Sequence, residues 1–253
     1  RVTFRRTVPF LIIGLLIFIG YLYFLARTQE LNIPEMLTTI QRVDIRYYSL
    51  AVVVVLLDMV AYSLTWQYFL RPLSVNVSFK KTFLFTWIGV FVDLLIPAES
   101  ISGDATKAYL MSRDSGENAG KVVASVIGHR ILSTVITFGG FLISAVCFVL
   151  VYSPSLLAIE FIVLVTATSI FSLSLLIYLS TRRQSTEKIV NWLVGLLARL
   201  SRGRLQFDSL KKSADRMLNA FHDGIQTLRE RPKQLVLPLF FTFVAWMFDL
   251  LIV

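Results

Sequence analysis

Residues 96–114, IPAESISGDATKAYLMSRD, place three acids and two bases between two apolar runs. Pro97 closes the run before it, because proline offers no N–H and pushes its predecessor out of helical geometry. Ser102-Gly103-Asp104 reads as a turn or helix start, and Ala105 to Arg113 as a short helix. The patch is either an ordinary loop or a working site, and the surrounding segments decide what it borders.

Those segments need lipid as their solvent. Of 253 residues, 56% are hydrophobic and 16% charged, well outside the balance of a soluble domain. The apolar stretches are continuous rather than alternating, so they read as helices and not as strands of a barrel. A spanning helix takes about 20 mostly apolar residues. Five segments qualify, 8–26, 47–70, 122–152, 156–180 and 235–253, while 82–98 is marginal. The basic start of the chain ahead of 8–26 resembles a signal peptide. The run is long enough to span, however, and no small-residue cleavage site follows, so it reads as an anchor. The chain opens at Arg1 and stops at Val253 inside an apolar run, which reads as a C-terminally truncated fragment of a longer protein. Cys147 is the single cysteine, so no intrachain disulfide forms.

Charge sets the expected topology. The long connection 181–234 carries twelve basic residues, among them Arg182, Arg183, Lys211 and Lys212, against five acids. Basic residues close to membrane ends stay in the cytoplasm, which places this connection and the N-terminus with Arg1, Arg5 and Arg6 inside. Counting crossings from both ends puts 99–121 inside as well. Segment 82–98 then cannot cross fully, and is expected as a re-entrant hairpin or an interfacial pair of short helices. Irregular backbone at membrane depth persists only against protein or a wet cavity. The fold class is therefore all-α: a polytopic helical membrane protein with about five spanning helices, a re-entrant segment and cytoplasmic amphipathic helices.

Two such amphipathic helices are legible in the connection. In 187–200 the apolar face is Ile189, Trp192, Leu193, Leu196, Leu197 and Leu200. In 206–230 it is Phe207, Leu210, Ala214, Met217, Phe221, Ile225 and Leu228. Both are expected on the membrane interface or docked on the bundle. The basic residues flank membrane segments and need face only anionic lipid, so nucleic acid is not an expected partner.

Ionisable residues inside apolar segments are costly and mark candidate sites. Asp58, Asp93 and Arg130 are the leading ones, with Arg130 expected to pair with Asp58 or Asp93. That pair either holds helices together or serves a site. His129 shares a four-residue stripe with Ser125, Ser133 and Thr137, which faces a neighbouring helix or a cavity rather than lipid. His129 itself is a packing residue or a proton relay, and His222 is expected in solvent. Two histidines and one cysteine far apart form no recognisable zinc site, and no metal or cofactor is expected. At the quoted stretch, the free N–H groups around Gly103-Asp104 suit a phosphate, with Lys107 and Arg113 bracketing it. Equally, Asp104 in the first turn would make a self-capped helix.

The order Pro97, Gly103-Asp104, Lys107-Ala108-Tyr109-Leu110, then Arg130-Ile131-Leu132 in an apolar helix resembles the lysylphosphatidylglycerol synthase transmembrane, or flippase-like, family. The likeness is strongest over 87–145. Two departures stand out: Lys107 replaces the usual arginine, and His129 stands where an acid commonly precedes Arg130. The resemblance implies one flippase-like domain over 1–253 that handles lipids or lipid-linked intermediates, in some members beside a lipid synthase or glycosyltransferase.

The expected function is binding of an anionic lipid, a membrane phospholipid or polyprenyl-phosphate lipid, and its transfer between leaflets of the cell membrane. Lys107, Arg113 and Arg130 would neutralise phosphate, and Gly103 would let backbone approach it. Asp58, Asp93 and Asp104 would orient the bases or read a cationic head group. The rivals are a membrane glycosyltransferase on a lipid-linked sugar, disfavoured by the scattered acids Glu30, Glu35 and Asp44 of 27–46, and a non-catalytic anchor for a partner enzyme.

Overall fold

The computed structural model describes Gly20, Thr38, Arg42 and residues 44–96, 101–200 and 207–252, with 193, 197–200 and 207–210 described by their backbone. The expected first span, 8–26, apart from Gly20, and the turn around Pro97 lie outside these residues. Two compact units are distinguished, 1–53 and 54–253; the first turns of the helix Ile45–Leu70 belong to the first, and the packing described below concerns the second.

Among the described residues eight α-helices follow one another: α1 Ile45–Leu70, α2 Phe79–Leu95, α3 Ile101–Ser115, α4 Ala119–Tyr152, α5 Leu156–Thr181, α6 Arg183–Leu200, α7 Phe207–Glu230 and α8 Val236–Ile252, and no strand occurs. Four helical stretches among these residues are long and apolar enough to cross a membrane, Ile45–Leu73, Ala119–Tyr152, Leu156–Thr181 and Pro232–Ile252. They correspond to four of the five expected spans. Their outer surfaces carry exposed Leu, Val and Phe, such as Leu150, Phe161 and Leu164. In water this would be an aggregating surface, whereas lipid is its natural solvent.

The marginal segment folds as the first arm of a helical hairpin. At about 1.5 Å per residue, the 17-residue α2 falls short of a hydrocarbon core about 30 Å thick. Helix α3 runs back along it: Lys81, near the start of α2, pairs with Asp114, near the end of α3, at 2.7 Å. At the other end, Asp93 of α2 holds Ser102 and Gly103 of α3. The hairpin thus returns the chain to the side it left, as crossing parity requires. Its two arms touch at Gly89 and Gly103. A Cβ on Gly103 would collide with the Gly89 carbonyl and the Asp93 carboxylate, so the backbone contact requires glycine there.

The core forms at one end of the bundle, where α1, α3, α4 and α7 meet. Trp66, Leu70, Met111 and Val122 are essentially inaccessible, with Phe69, Leu218, Phe221 and Leu228 around them. Trp66 donates its indole N–H to Ser125 Oγ at 3.0 Å, tying α1 to α4 and satisfying a buried polar atom.

Helix α7 docks on this core rather than lying free. Its buried face differs from the sequence reading in one register: Leu218 is buried while Met217 is exposed. The reason is local, since Gly120 of α4 admits the α7 backbone at Met217 so closely that a Cβ would strike its carbonyl. His222, expected in solvent, is half-buried, edge-on to Phe221 at 5.1 Å, with Nδ1 3.0 Å from the Leu218 carbonyl. Helix α6 leaves Ile189, Trp192 and Leu196 exposed on one stripe. That suits a helix beginning two residues beyond a membrane span, with its apolar face toward the interface.

Candidate functional site

Helix α3 starts at Ile101, four residues earlier than expected, which places Gly103 and Asp104 inside its first turn. The N–H groups expected for phosphate are in part already used. Gly103 N–H donates to Asp93 Oδ1 at 2.6 Å, and the Ser102 hydroxyl donates to the same oxygen at 2.7 Å. The helix is therefore capped from within the protein, though by Asp93 across the hairpin and not by Asp104. Gly103 accordingly serves the contact with α2.

With Asp93 engaged there, Asp104 is free to face inward. Its Oδ1 lies 2.7 Å from Lys107 Nζ, and its Oδ2 lies 3.2 Å from Arg130 Nε. This corrects the expectation for Arg130: the acid that holds it comes from α3 and not from 47–70 or 82–98. Asp58 of α1 instead has Asp249 of α8 as its electrostatic neighbour. Arg113 is also removed from the cluster. It is exposed and donates to the Tyr109 hydroxyl at 3.0 Å.

The two cations on Asp104 stand in different surroundings. The Lys107 side chain is 5% exposed, and its ammonium lies 5.2 Å from the Tyr62 ring centre and 5.4 Å from that of Trp66. Burial disfavours the charged ammonium, but the Tyr62 hydroxyl and Asp104 more than offset this, so its pKa stands above the usual lysine value. The Arg130 side chain is 35% exposed. Of the two cations, Arg130 is the accessible one and Lys107 the buried one.

Tyr62 and Trp66 were not singled out in the sequence. The signal was present, since Asp58, Tyr62, Trp66 and Phe69 recur at helical spacing along α1. Which polar residue such a stripe meets depends on the return of α3 past α1. The expected stripe on α4 faces inward in part: Ser125 and His129 are buried, Ser133 is half-buried beside a cavity, and Thr137 is exposed at the edge of one. The His129 ring packs 4.4 Å from Tyr62 and 6.1 Å from Phe69, centre to centre.

Arg130 stands where three spaces meet. A groove of about 590 Å³ runs between α3, α4 and α5, walled by Ala108, Val123, Ile127, Leu173, Leu176 and Leu179, with Asp104 and Arg130 as its charged groups. A second space of about 400 Å³, bordered by Thr137, Phe141, Val165 and Ser169, also reaches Arg130. A small chamber of about 30 Å³ lies behind it, against Lys107 and His129. Largely hydrocarbon walls with a guanidinium among them suit a molecule that is apolar over most of its length and carries an anionic group. No group of three His, Cys, Asp or Glu side chains able to hold a metal occurs among the described residues.

The comparisons with known proteins agree with this architecture. Among curated proteins, the chain is similar to a UPF0104 membrane protein of Pyrococcus horikoshii, 26% identical over 244 residues, which is 94% of this chain and 71% of the relative. A UPF0104 membrane protein of Methanothermobacter thermautotrophicus is 21% identical over 238 residues, 94% of this chain and 70% of the relative. No solved structure matches. The family model for the lysylphosphatidylglycerol synthase TM region matches residues 11–253; the chain belongs to that family and is an integral membrane protein.

Proposed function

We propose that this protein binds the anionic head group of a membrane lipid at Arg130, seats its hydrocarbon in the groove between α3, α4 and α5, and helps the lipid pass between leaflets. The observation that carries this reading is the partly exposed Arg130 guanidinium in a groove otherwise walled mostly by hydrocarbon. Arginine is well suited to the task, because its planar fork can meet two phosphate oxygens and remains charged at any physiological pH. Asp104 holds the guanidinium at Nε, which fixes its plane. Lys107 adds positive charge from behind, buried against Tyr62 and Trp66.

The test is reconstitution of the full chain into liposomes with head-group-labelled lipids, followed by a membrane-impermeant quencher. Accelerated exchange of a labelled anionic lipid, with a zwitterionic one of the same chains moving no faster than in empty liposomes, is expected. No acceleration for any anionic lipid would overturn the transport reading. Binding without exchange would leave a lipid-holding membrane subunit.

In this reading the site opens toward the cytoplasm, and the support is charge. Arg182, Arg183 and the remaining bases of 181–234 favour the inner side, and the hairpin returns the chain to the side it left. Asp114 is exposed at the hairpin base, so Asp114→Cys in a Cys147→Ser background reports the side. An impermeant thiol reagent added to intact cells should leave it unlabelled until the membrane is permeabilised. Full labelling in intact cells would reverse the orientation.

A further inference from the structure

The chamber behind Arg130 has no part in the binding just described. It is bordered by Tyr62, Asp104, Lys107, His129, Arg130 and Ser133 and holds about 30 Å³. A water-sized group needs roughly 10–15 Å³ by this measure, so there is room for one or two oxygens and no more. His129 is 2% exposed, and its Nε2 is buried with no hydrogen-bond partner among the described residues. A buried polar atom without a partner is costly and uncommon. Its residue, His129, lines a cavity that Lys107 and Arg130 line as well.

We propose, building on the reading above, that this chamber is a subsite for a terminal phosphate oxygen, so that the protein selects lipids ending in a phosphate monoester over phosphodiesters. A monoester can direct an unsubstituted oxygen past Arg130 to Lys107 and His129. With two unsubstituted oxygens on the Arg130 fork, a monoester has a third for the chamber, whereas in a diester that oxygen carries a head alcohol such as glycerol, whose several heavy atoms exceed the chamber. A cationic head group is excluded further, since it would approach Lys107 and Arg130. The histidine suits the chemistry. The second ionisation of a phosphate monoester lies near pH 6, so at about neutral pH its oxygen alternates between hydroxyl and anion. A neutral imidazole can meet either form, with one ring nitrogen donating and the other accepting according to tautomer. The shared chemistry is the terminal phosphate, whether on a diacylglycerol or on a polyprenol.

The experiment measures competition for the purified full chain in mixed micelles. The competitors are phosphatidic acid, polyprenyl phosphate, phosphatidylglycerol and phosphatidylcholine, each against a chain-labelled anionic lipid. Both monoesters should bind about tenfold tighter than phosphatidylglycerol, the worth of one further charge-assisted hydrogen bond. His129→Phe, which fills the chamber and removes the ring nitrogens, should reduce that ratio to near one while phosphatidylglycerol binding persists. If His129→Phe fails to fold, Ser133→Val narrows the same chamber and should reduce the ratio in the same direction. Equal binding of monoester and diester by the unaltered protein would overturn the inference, as would a preference that survives in every variant that folds; the chamber would then hold water only. Binding of phosphatidylcholine as tightly as of every anionic lipid would instead overturn the head-group reading at Arg130. Preference for one monoester over the other identifies the source of the chain.

Discussion

Replacing Asp104 by alanine is expected to cost about 3–5 kcal/mol of stability, the loss seen when a buried charge is left without its partner. The charge in question is Lys107, whose side chain is 5% exposed and whose ammonium lies 2.7 Å from Asp104 Oδ1. Tyr62 and Trp66 face it with their rings, which softens the loss of the carboxylate without replacing it. The double variant Asp104→Ala, Lys107→Met should recover much of the loss, because a methionine of similar length needs no counter-charge. Titration with a denaturing detergent in mixed micelles, monitored by tryptophan fluorescence, reads the difference. A loss under about 1 kcal/mol, the scale of a surface pair, would mean that the contact contributes no more than an exposed ion pair.

Arg130→Gln should weaken binding of an anionic lipid by about ten- to a hundredfold, equivalent to about 1.5–3 kcal/mol for a charge-assisted bond. Arg130→Lys should recover part of this, since it restores the charge without the fork. Arg113→Gln should change affinity by less than about twofold, because Arg113 is exposed and bonded to Tyr109. The two arginines are equally basic in the sequence and should therefore separate sharply in a binding isotherm. Comparable losses from Arg113→Gln and Arg130→Gln would show that general positive charge, and not the groove, attracts the lipid.

The contrast between Lys107 and Arg113 shows where a linear reading stops. Both lie on one short helix beside Gly103-Asp104, and a chain without coordinates gives them the same role. Their six-residue separation puts them on different faces of α3, and only the packing of that helix between α1, α2 and α4 makes one face the interior. Met217 and Leu218 teach the same lesson on α7. The amphipathic pattern identified the helix, while the contact at Gly120 chose which of two adjacent apolar residues is buried.

By itself the sequence determined the solvent, the helical class, four of the spans now described and that 82–98 is too short a segment to span readily; that it forms a single arm, with 101–115 as the other, came from the structure. The former follow from local quantities: apolar run length against bilayer thickness, continuity against alternation, and the placement of basic residues. The sequence also singled out Arg130 and His129, because ionisable groups in apolar runs stand out without coordinates, and Asp104 through the polar stretch it shares with Lys107. The tertiary structure alone decided the partners. Asp93 turned out to cap α3, which released Asp104 to hold both Lys107 and Arg130. The physical reason is that an ion pair between helices depends on their relative rotation and depth, set by the Gly89–Gly103 contact and the seating of Trp66 against Ser125. Neither is written in the spacing of the charges.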